Sequence, residues 1–252
     1  MQKQSSLRFA IVGCGKIAQR HAEHINEKAA LVAVCDLDKV KADALATKYK
    51  TAAYYSVDDL FINSDFDVAV ICTPNGLHAE QSIYALQKGV HVICEKPMAI
   101  KTEDCQRMMD AAQKSNRELF IVKQNRYNPP VVQLKKAIDE GRLGQIFSVQ
   151  LNCFWHRDAD YYKGESWRGT KTLDGGILYT QFSHFIDLML WLMNYDVTDV
   201  HSLVKNYLHQ GVTEIEDTGI VSLQFSNGAI GSIHFTTNSY SKNMEGSIAV
   251  FG

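Results

Sequence analysis

Residues 10–18 read Ala10-Ile-Val-Gly13-Cys-Gly15-Lys-Ile-Ala18, an apolar run that passes directly into G-x-G-x-x-A, and the next apolar run, Leu31 to Cys35, ends on Asp36. A strand, a glycine turn, a helix and an acid closing the second strand are the parts of a dinucleotide site. Gly13 makes the tight turn, Gly15 lets a pyrophosphate approach the backbone, Ala18 leaves room for helix–strand packing, and Asp36 meets the adenosine ribose. Glycines also serve ordinary turns, so the motif draws its weight from the strand before it, the helix after it and Asp36. Asp36 accepts ribose hydroxyls, whereas a 2'-phosphate would meet like charge, and Leu37 and Asp38 bring no arginine, so NAD is expected over NADP. Lys16 and Ile17 lie in the loop as candidate cofactor contacts. For Lys16 a second reading stands, a solvent-facing lysine at a helix start.

Outward from this stretch, short apolar runs alternate with longer amphipathic ones. The patterning predicts strands at 7–12, 31–35, 67–72, 90–94 and 119–122, with a short one at Tyr54-Tyr55. It predicts helices near 16–27, 38–48, 77–87 and 101–115, and another starting at Asp58-Asp59. This order implies an α/β fold, a doubly wound, mostly parallel sheet. The runs Val68-Ala-Val-Ile-Cys72 and Val90-His-Val-Ile-Cys94 lack polar alternation, as strands covered on both faces do.

The pattern changes after Asn125-Arg-Tyr-Asn-Pro-Pro130. Pro129 and Pro130 favour a helix start and Gly141 a stop. Strand-like stretches follow at 145–154, 197–208, 217–225 and 229–236, with a single helix at 177–193. Long strands without intervening helices predict an α+β domain with an open, mostly antiparallel sheet. The expected division is 1–123 for NAD binding and 124–252 for substrate binding and oligomerisation. The terminal Gly246-Ser-Ile-Ala-Val-Phe-Gly252 reads as a strand cut off in its middle, so the second domain is expected to be incomplete.

The 252 residues could bury roughly 70–75% of the unfolded chain's surface, enough for two moderate domains. A net charge of -2 from 26 basic and 28 acidic residues leaves no electrostatic footprint for nucleic acid or an anionic membrane, which favours small metabolites as partners. Six cysteines without a C-x-x-C pair suggest reduced, cytoplasmic usage. Met1–Ser6 holds no apolar signal core, and the apolar stretch 185–193 is interrupted by Asp187 and too short to span a bilayer.

Two further stretches fall where strands should end beside the ligand crevice. In Cys72-Thr-Pro-Asn-Gly-Leu-His78, Thr73, Pro74, Asn75, Leu77 and His78 are candidate cofactor contacts; a plain loop capped by Asn75 is the other reading, and the position at the sheet edge favours contact. In Glu95-Lys96-Pro97, a lysine beside a cationic nicotinamide would be shifted toward neutrality, which suits catalysis. Thr180, Gln181 and His184 can share a helix face, although a lone histidine there is more often a core residue. His21 and His24 show no matching acid cluster, His201, His209 and His234 fall in outer strands, and no spacing points to a metal. Around Trp155, Tyr161 and Trp167, aromatic faces could stack on sugar or nicotinamide, and Arg157 or Arg168 could hold phosphate or carboxylate; packing is the alternative role.

With these residues in place the chain resembles the glucose–fructose oxidoreductase / inositol dehydrogenase / rhizopine-catabolism (Gfo/Idh/MocA) family. The likeness rests on the glycine loop, Thr73-Pro-Asn, Glu95-Lys96-Pro97, Arg126-Tyr127 with Pro129, Gly141-Arg-Leu-Gly144, and Asp174-Gly-Gly followed by His184-x-x-Asp187. The resemblance implies an N-terminal Rossmann domain, a C-terminal open sheet that often makes a homodimer or homotetramer interface, and NAD-linked oxidation of a sugar or cyclitol hydroxyl. It implies Lys96 and His184 as catalytic residues flanking the hydroxyl, one of them, His184 in preference to Lys96, taking the proton, with Lys96 stabilising the oxyanion and able to relay the proton. It adds Glu95, Arg126, Trp167 and Arg168 as cofactor contacts, and Lys96, Arg126, Tyr127, Asn128, Arg157, Thr180, Gln181 and His184 as substrate contacts. Several polyol dehydrogenases of the family carry aspartate four residues before the histidine, where this chain has Thr180. The stretch from Asn125 to Asp187 looks most like the subgroup that oxidises the 3-hydroxyl of UDP-N-acetylglucosaminuronic acid for surface-polysaccharide (lipopolysaccharide) synthesis. Members usually continue beyond the equivalent of Gly252, which puts activity of this form in question. Rival expectations are an inositol or polyol dehydrogenase, a keto-sugar reductase, and a non-catalytic NAD-binding sensor or scaffold.

Overall fold

A computed structural model describes residues 7–164 and 166–252; Met1–Ser6, expected to hold no signal core, lies outside them. The chain divides into two units, with the boundary between Val122 and Lys123.

In the first unit, β1 (Arg8–Val12), α1 (Lys16–Lys28), β2 (Ala30–Cys35), α2 (Lys39–Tyr49), β3 (Ala52–Tyr54), α3 (Val57–Asn63) and β4 (Val68–Ile71) follow in turn. A 3₁₀ turn (Asn75–Leu77) leads into α4 (His78–Gln87), then β5 (His91–Cys94), α5 (Thr102–Ser115) and β6 (Leu119–Ile121). The sheet order is β3-β2-β1-β4-β5-β6 with every pair parallel, the doubly wound Rossmann arrangement. Strand alternation sends Ile11, Val34 and Val70 to one face against α1 and α2, and Ala10, Ala69 and Ile71 to the other against α3, α4 and α5. Both faces are therefore dry, as the continuous apolar runs require. Local signals set the helix starts: the Asp38 side chain accepts from the Val40 and Lys41 amides, and Ser56 from the Asp59 amide. The chain reverses its lateral course between β1 and β4, so the carboxyl ends of these strands form the switch point where α/β sheets bind ligands.

The second unit runs from a 3₁₀ turn (Gln124–Tyr127) through α6 (Pro129–Asp139), β7 (Ser148–Phe154), α7 (Ala159–Lys163), α8 (Ile177–Thr180) and α9 (Ser183–Met193). Four strands complete it: β8 (Val197–Lys205), β9 (Thr218–Phe225), β10 (Ile230–Thr236) and β11 (Glu245–Phe251). The sheet order is β11-β7-β10-β9-β8, antiparallel except for the β7–β10 pair. One face is packed by Phe182, Ile177 and Met189 over Leu151, Val221, Phe225 and Phe235. The other displays Leu203, Ile220 and Ile230, all largely exposed.

Two features differ from expectation. The single helix at 177–193 is two helices, because Phe182 leaves helical geometry (φ -108°, ψ 3°) with its ring fully buried against Trp155 and Phe235. Thr180 and His184 therefore do not share one continuous helix face. Helix α7, started by the Asp158 side chain on the Tyr161 amide, was not anticipated. Strand β11 pairs with β7, Glu245 opposite Phe154 through Phe251 opposite Ser148. Among the described residues no helix is long and apolar enough to cross a membrane.

Candidate functional site

Gly13 turns at φ +91°, and a Cβ there would lie 2.7 Å from the Cys72 carbonyl carbon and oxygen and 2.8 Å from the Thr73 nitrogen. This contact locks the glycine loop to the end of β4, and only glycine allows both the angle and the approach. Gly15 differs: a Cβ there would meet nothing within 4 Å. It begins α1 with no side-chain cap, and the first turn of α1 holds no acid. Uncapped first-turn amides at a helix N-terminus suit an anion, and the open space over Gly15 is the room a diphosphate needs. Asp36 is held by two backbone donors, the Cys14 amide (2.7 Å) and the Asp38 amide (2.8 Å). Lys41 pairs with Asp38 at 3.6 Å and Lys39 lies over the Tyr55 ring, so these nearby cations are engaged elsewhere. The residues present thus fit a dinucleotide with a free 2'-hydroxyl. Lys16 is exposed, Ile17 half-buried and Ala18 fully buried.

At the next strand ends, the Thr73 hydroxyl donates to Gln81 Oε1 (2.6 Å), Pro74 leads the 3₁₀ turn, Asn75 is buried and Leu77 partly exposed. His78 is only 1% exposed; its Nδ1 lies 2.7 Å from the Pro97 carbonyl oxygen and its Nε2 2.9 Å from that of Thr73. Its ring faces the backbone carbonyls of the two turns. Glu95 is buried, with Oε1 2.8 Å from His21 Nε2 and Oε2 accepting the Lys96 amide at 3.2 Å. Burial pushes the Glu95 carboxyl up, but the His21 hydrogen bond and charge, with the Lys96 amide and charge, outweigh it and hold the group below the usual carboxylate range. His21 therefore has an acid partner after all, 74 residues along the chain where no local pattern could reveal it. Lys96 is half-buried. Burial pushes the Cys14 and Cys94 thiols up to about 12 and Cys35 up to about 11, which keeps them protonated and out of nucleophilic chemistry.

In the second unit the candidate residues fall into two clusters. In the first, Arg126 grips Asp187 bidentately (Nε 2.8 Å, Nη2 2.6 Å), with its guanidinium 5.3 Å from the Trp191 ring. Its fork is thus occupied by the protein's own carboxylate. His184 is buried, and Gln124 Nε2 lies 3.4 Å from its Nε2. Lys123 Nζ stands 3.9 Å from Asp187, and burial pulls this lysine below its ordinary value against the pull of that charge. Gln124 and Lys123 carry no motif and were missed. Tyr127 is 82% exposed, and Asn128 precedes α6 without making a side-chain cap.

In the second cluster, Arg157 donates through Nε and Nη2 to Gln181 Oε1 (3.1 and 2.7 Å), and Gln181 Nε2 donates to the Tyr161 hydroxyl (2.7 Å). Arg168 Nη1 donates to the same hydroxyl (2.6 Å), and both guanidiniums lie over the Tyr161 ring, at 5.1 and 4.6 Å. Arg168 also lies over Trp167 at 4.6 Å. The Thr180 hydroxyl donates to the Asp174 carbonyl oxygen at 3.1 Å. His209, expected in a strand, sits buried in the loop after β8, its Nδ1 3.1 Å from Asp217 Oδ2 and its Nε2 2.9 Å from the Arg157 carbonyl oxygen. No group of three or more His, Cys, Asp or Glu residues suited to a metal occurs among the described residues.

Two family models match consecutively: the Gfo/Idh/MocA oxidoreductase family's NAD-binding Rossmann fold over residues 7–123, and its C-terminal domain over 131–252. The chain belongs to the Gfo/Idh/MocA family. The kinship read from the motifs is thereby borne out, and the first unit is the family's NAD-binding fold. Among solved structures, this Gfo/Idh/MocA chain resembles the WlbA dehydrogenase of Bordetella pertussis in complex with NADH and UDP-GlcNAcA, at 39% identity and a TM-score of 0.94, covering 98% of this chain and 76% of that one. The WlbA dehydrogenase of Chromobacterium violaceum, bound to the same pair, is 40% identical with a TM-score of 0.95, covering 99% and 72%. Inositol 2-dehydrogenase of Salmonella typhimurium is 32% identical over 232 residues, 88% of this chain. The chain spans 65% of that curated relative's length.

Proposed function

We propose that the protein is an NAD-dependent dehydrogenase that oxidises a secondary hydroxyl of a nucleotide sugar, the 3-hydroxyl of UDP-N-acetylglucosaminuronate or a near relative. The observation that carries this reading is the likeness at 39–40% identity to two proteins holding NADH and UDP-GlcNAcA, against 32% for an inositol dehydrogenase. The amides at the start of α1 would hold the cofactor's diphosphate, and Asp36 would accept the ribose hydroxyls. When bound, NAD supplies the hydride acceptor at C4 of its nicotinamide. His184 removes the hydroxyl proton, and Lys96 stabilises the negative charge that develops on the substrate oxygen. Arg157 and Arg168, their charges gathered around one tyrosine ring, are candidates for the substrate's carboxylate or diphosphate, as is Arg126 beside Asp187.

Thr180 favours this reading over a polyol dehydrogenase. Its hydroxyl is bonded to a backbone carbonyl, and it offers no carboxylate to a relay through His184. The open face bearing Leu203, Ile220 and Ile230 supports pairing with a second copy, which light scattering checks directly. Titration with NADH and NADPH, followed by a panel of UDP-N-acetylglucosaminuronate, UDP-N-acetylglucosamine and myo-inositol, tests the whole. NADH preference and turnover of the uronate alone support it; NADPH preference, or turnover of myo-inositol alone, overturns it.

A further inference from the structure

The loops leaving β4 and β5 both lie at the carboxyl edge of the parallel sheet, where the cofactor's reactive end is held in this fold. The sheet ties these strands together as far as the Glu95 amide on the Ile71 carbonyl, at 3.0 Å. Beyond that point a side chain takes over. The His78 ring stands between the two loops, within 2.7 Å of the Pro97 carbonyl oxygen and 2.9 Å of the Thr73 carbonyl oxygen, and is almost wholly enclosed.

On the other side of Lys96, Glu95 is fixed by His21 from α1 at 2.8 Å. The residues immediately before and after Lys96 are thus each held by a histidine from a different helix, His21 on α1 and His78 on α4. Such double anchoring fixes the backbone from which the lysine side chain springs, and a buried polar bridge rigidifies what it joins.

We propose that His78 is a positioning residue for Lys96: by bridging the Thr73 and Pro97 carbonyls, it holds the lysine-bearing turn at a set distance from the Thr73 turn without itself touching the cofactor. The inference rests on Lys96 acting in the chemistry, as proposed above. Only N–H groups can satisfy two carbonyl oxygens, and a neutral imidazole has one to give. Burial holds His78 below its ordinary value, and the Lys96 charge adds to that pull, whereas the two carbonyls and the Glu95 charge favour the imidazolium. The neutral ring that burial favours therefore donates to one carbonyl and sets its other nitrogen against the second, whereas a glutamine amide carries two N–H groups without titrating. That distinction separates bridging from mere filling of space.

His78→Leu keeps the apolar bulk and removes N–H donation from the site; His78→Gln restores N–H donation on a side chain of similar reach. Misplacement by about 1 Å can cost ~100-fold in rate, so the leucine variant is expected to lose about tenfold or more in kcat with NADH affinity held within about threefold. Amide exchange should rise in the segments 73–77 and 95–100 and stay unchanged in β1 and β2. The glutamine variant should recover most of the rate and the protection. Unchanged exchange in both turns overturns the proposal. So does an NADH Kd that rises in step with the fall in kcat, which would make His78 a cofactor contact. Should the leucine variant not fold, the wild-type ring decides: an imidazole N–H of His78 protected from water supports the bridge, and a freely exchanging one refutes it. Should wild type turn over no sugar at all, the functional proposal fails, while exchange and NADH binding still judge the bridge.

Discussion

Adding one methyl group at either loop glycine separates folding from binding. At Gly13, alanine would adopt φ +91° with its Cβ 2.7 Å from the Cys72 carbonyl. The backbone strain costs about 1–3 kcal/mol and the forced shift of β4's end roughly another 1–3, for a loss of about 2–5 kcal/mol. For a unit of this size that lowers the midpoint of thermal unfolding by about 10–20 °C. At Gly15, φ is -72° and nothing lies within 4 Å, so alanine fits. The entropy gained from a stiffer unfolded chain and the poorer helix cap offset each other to within about 1 kcal/mol. The new methyl nevertheless occupies the space given to the diphosphate. Gly15→Ala should therefore weaken NADH binding by about tenfold or more, about 1.4 kcal/mol, at near-normal stability. Calorimetry for unfolding and tryptophan quenching for NADH read the two effects separately. A Gly15→Ala protein that binds NADH with an unchanged Kd would refute the placement of the diphosphate.

Lys96→Ala should leave the NADH Kd nearly unchanged while lowering turnover by about tenfold or more; steady-state kinetics beside a binding titration check it. Asp36→Ala removes the charge that repels a 2'-phosphate, so the NADH-to-NADPH affinity ratio should fall by about tenfold, read by parallel titrations. Glu95 is held below the usual carboxylate range, so its contribution to stability is fully present above the unfolded value and disappears as the pH falls through the lower folded value. Urea unfolding of Glu95→Gln across acidic pH should show a shallower pH dependence than wild type, and an identical slope would remove Glu95 from that linkage.

The first unit was legible because its determinants are local. Apolar runs without alternation gave the buried strands, Asp38 and Ser56 marked helix starts, and the glycines stood at the turns they make. The second unit was legible in its strands and less so in its joints. Phe182 breaks a helix whose local pattern is continuous, because the core has a place for its ring. The parallel β7–β10 pair joins strands far apart in the chain. At the candidate sites the motifs stood out, while their supports did not: His21 on Glu95, Gln124 near His184, and Asp187 in the fork of Arg126 are all long-range pairs.

UDP-N-acetylglucosaminuronate deuterated at C3, mixed with the protein and NAD, puts the central claim to its most direct test through the mass of the NADH formed. The account predicts deuterated NADH, with the label lost from the sugar. NADH formed without deuterium would place the oxidation elsewhere on the sugar, and bound NAD with no reduction in a single turnover would contradict dehydrogenase action on this substrate.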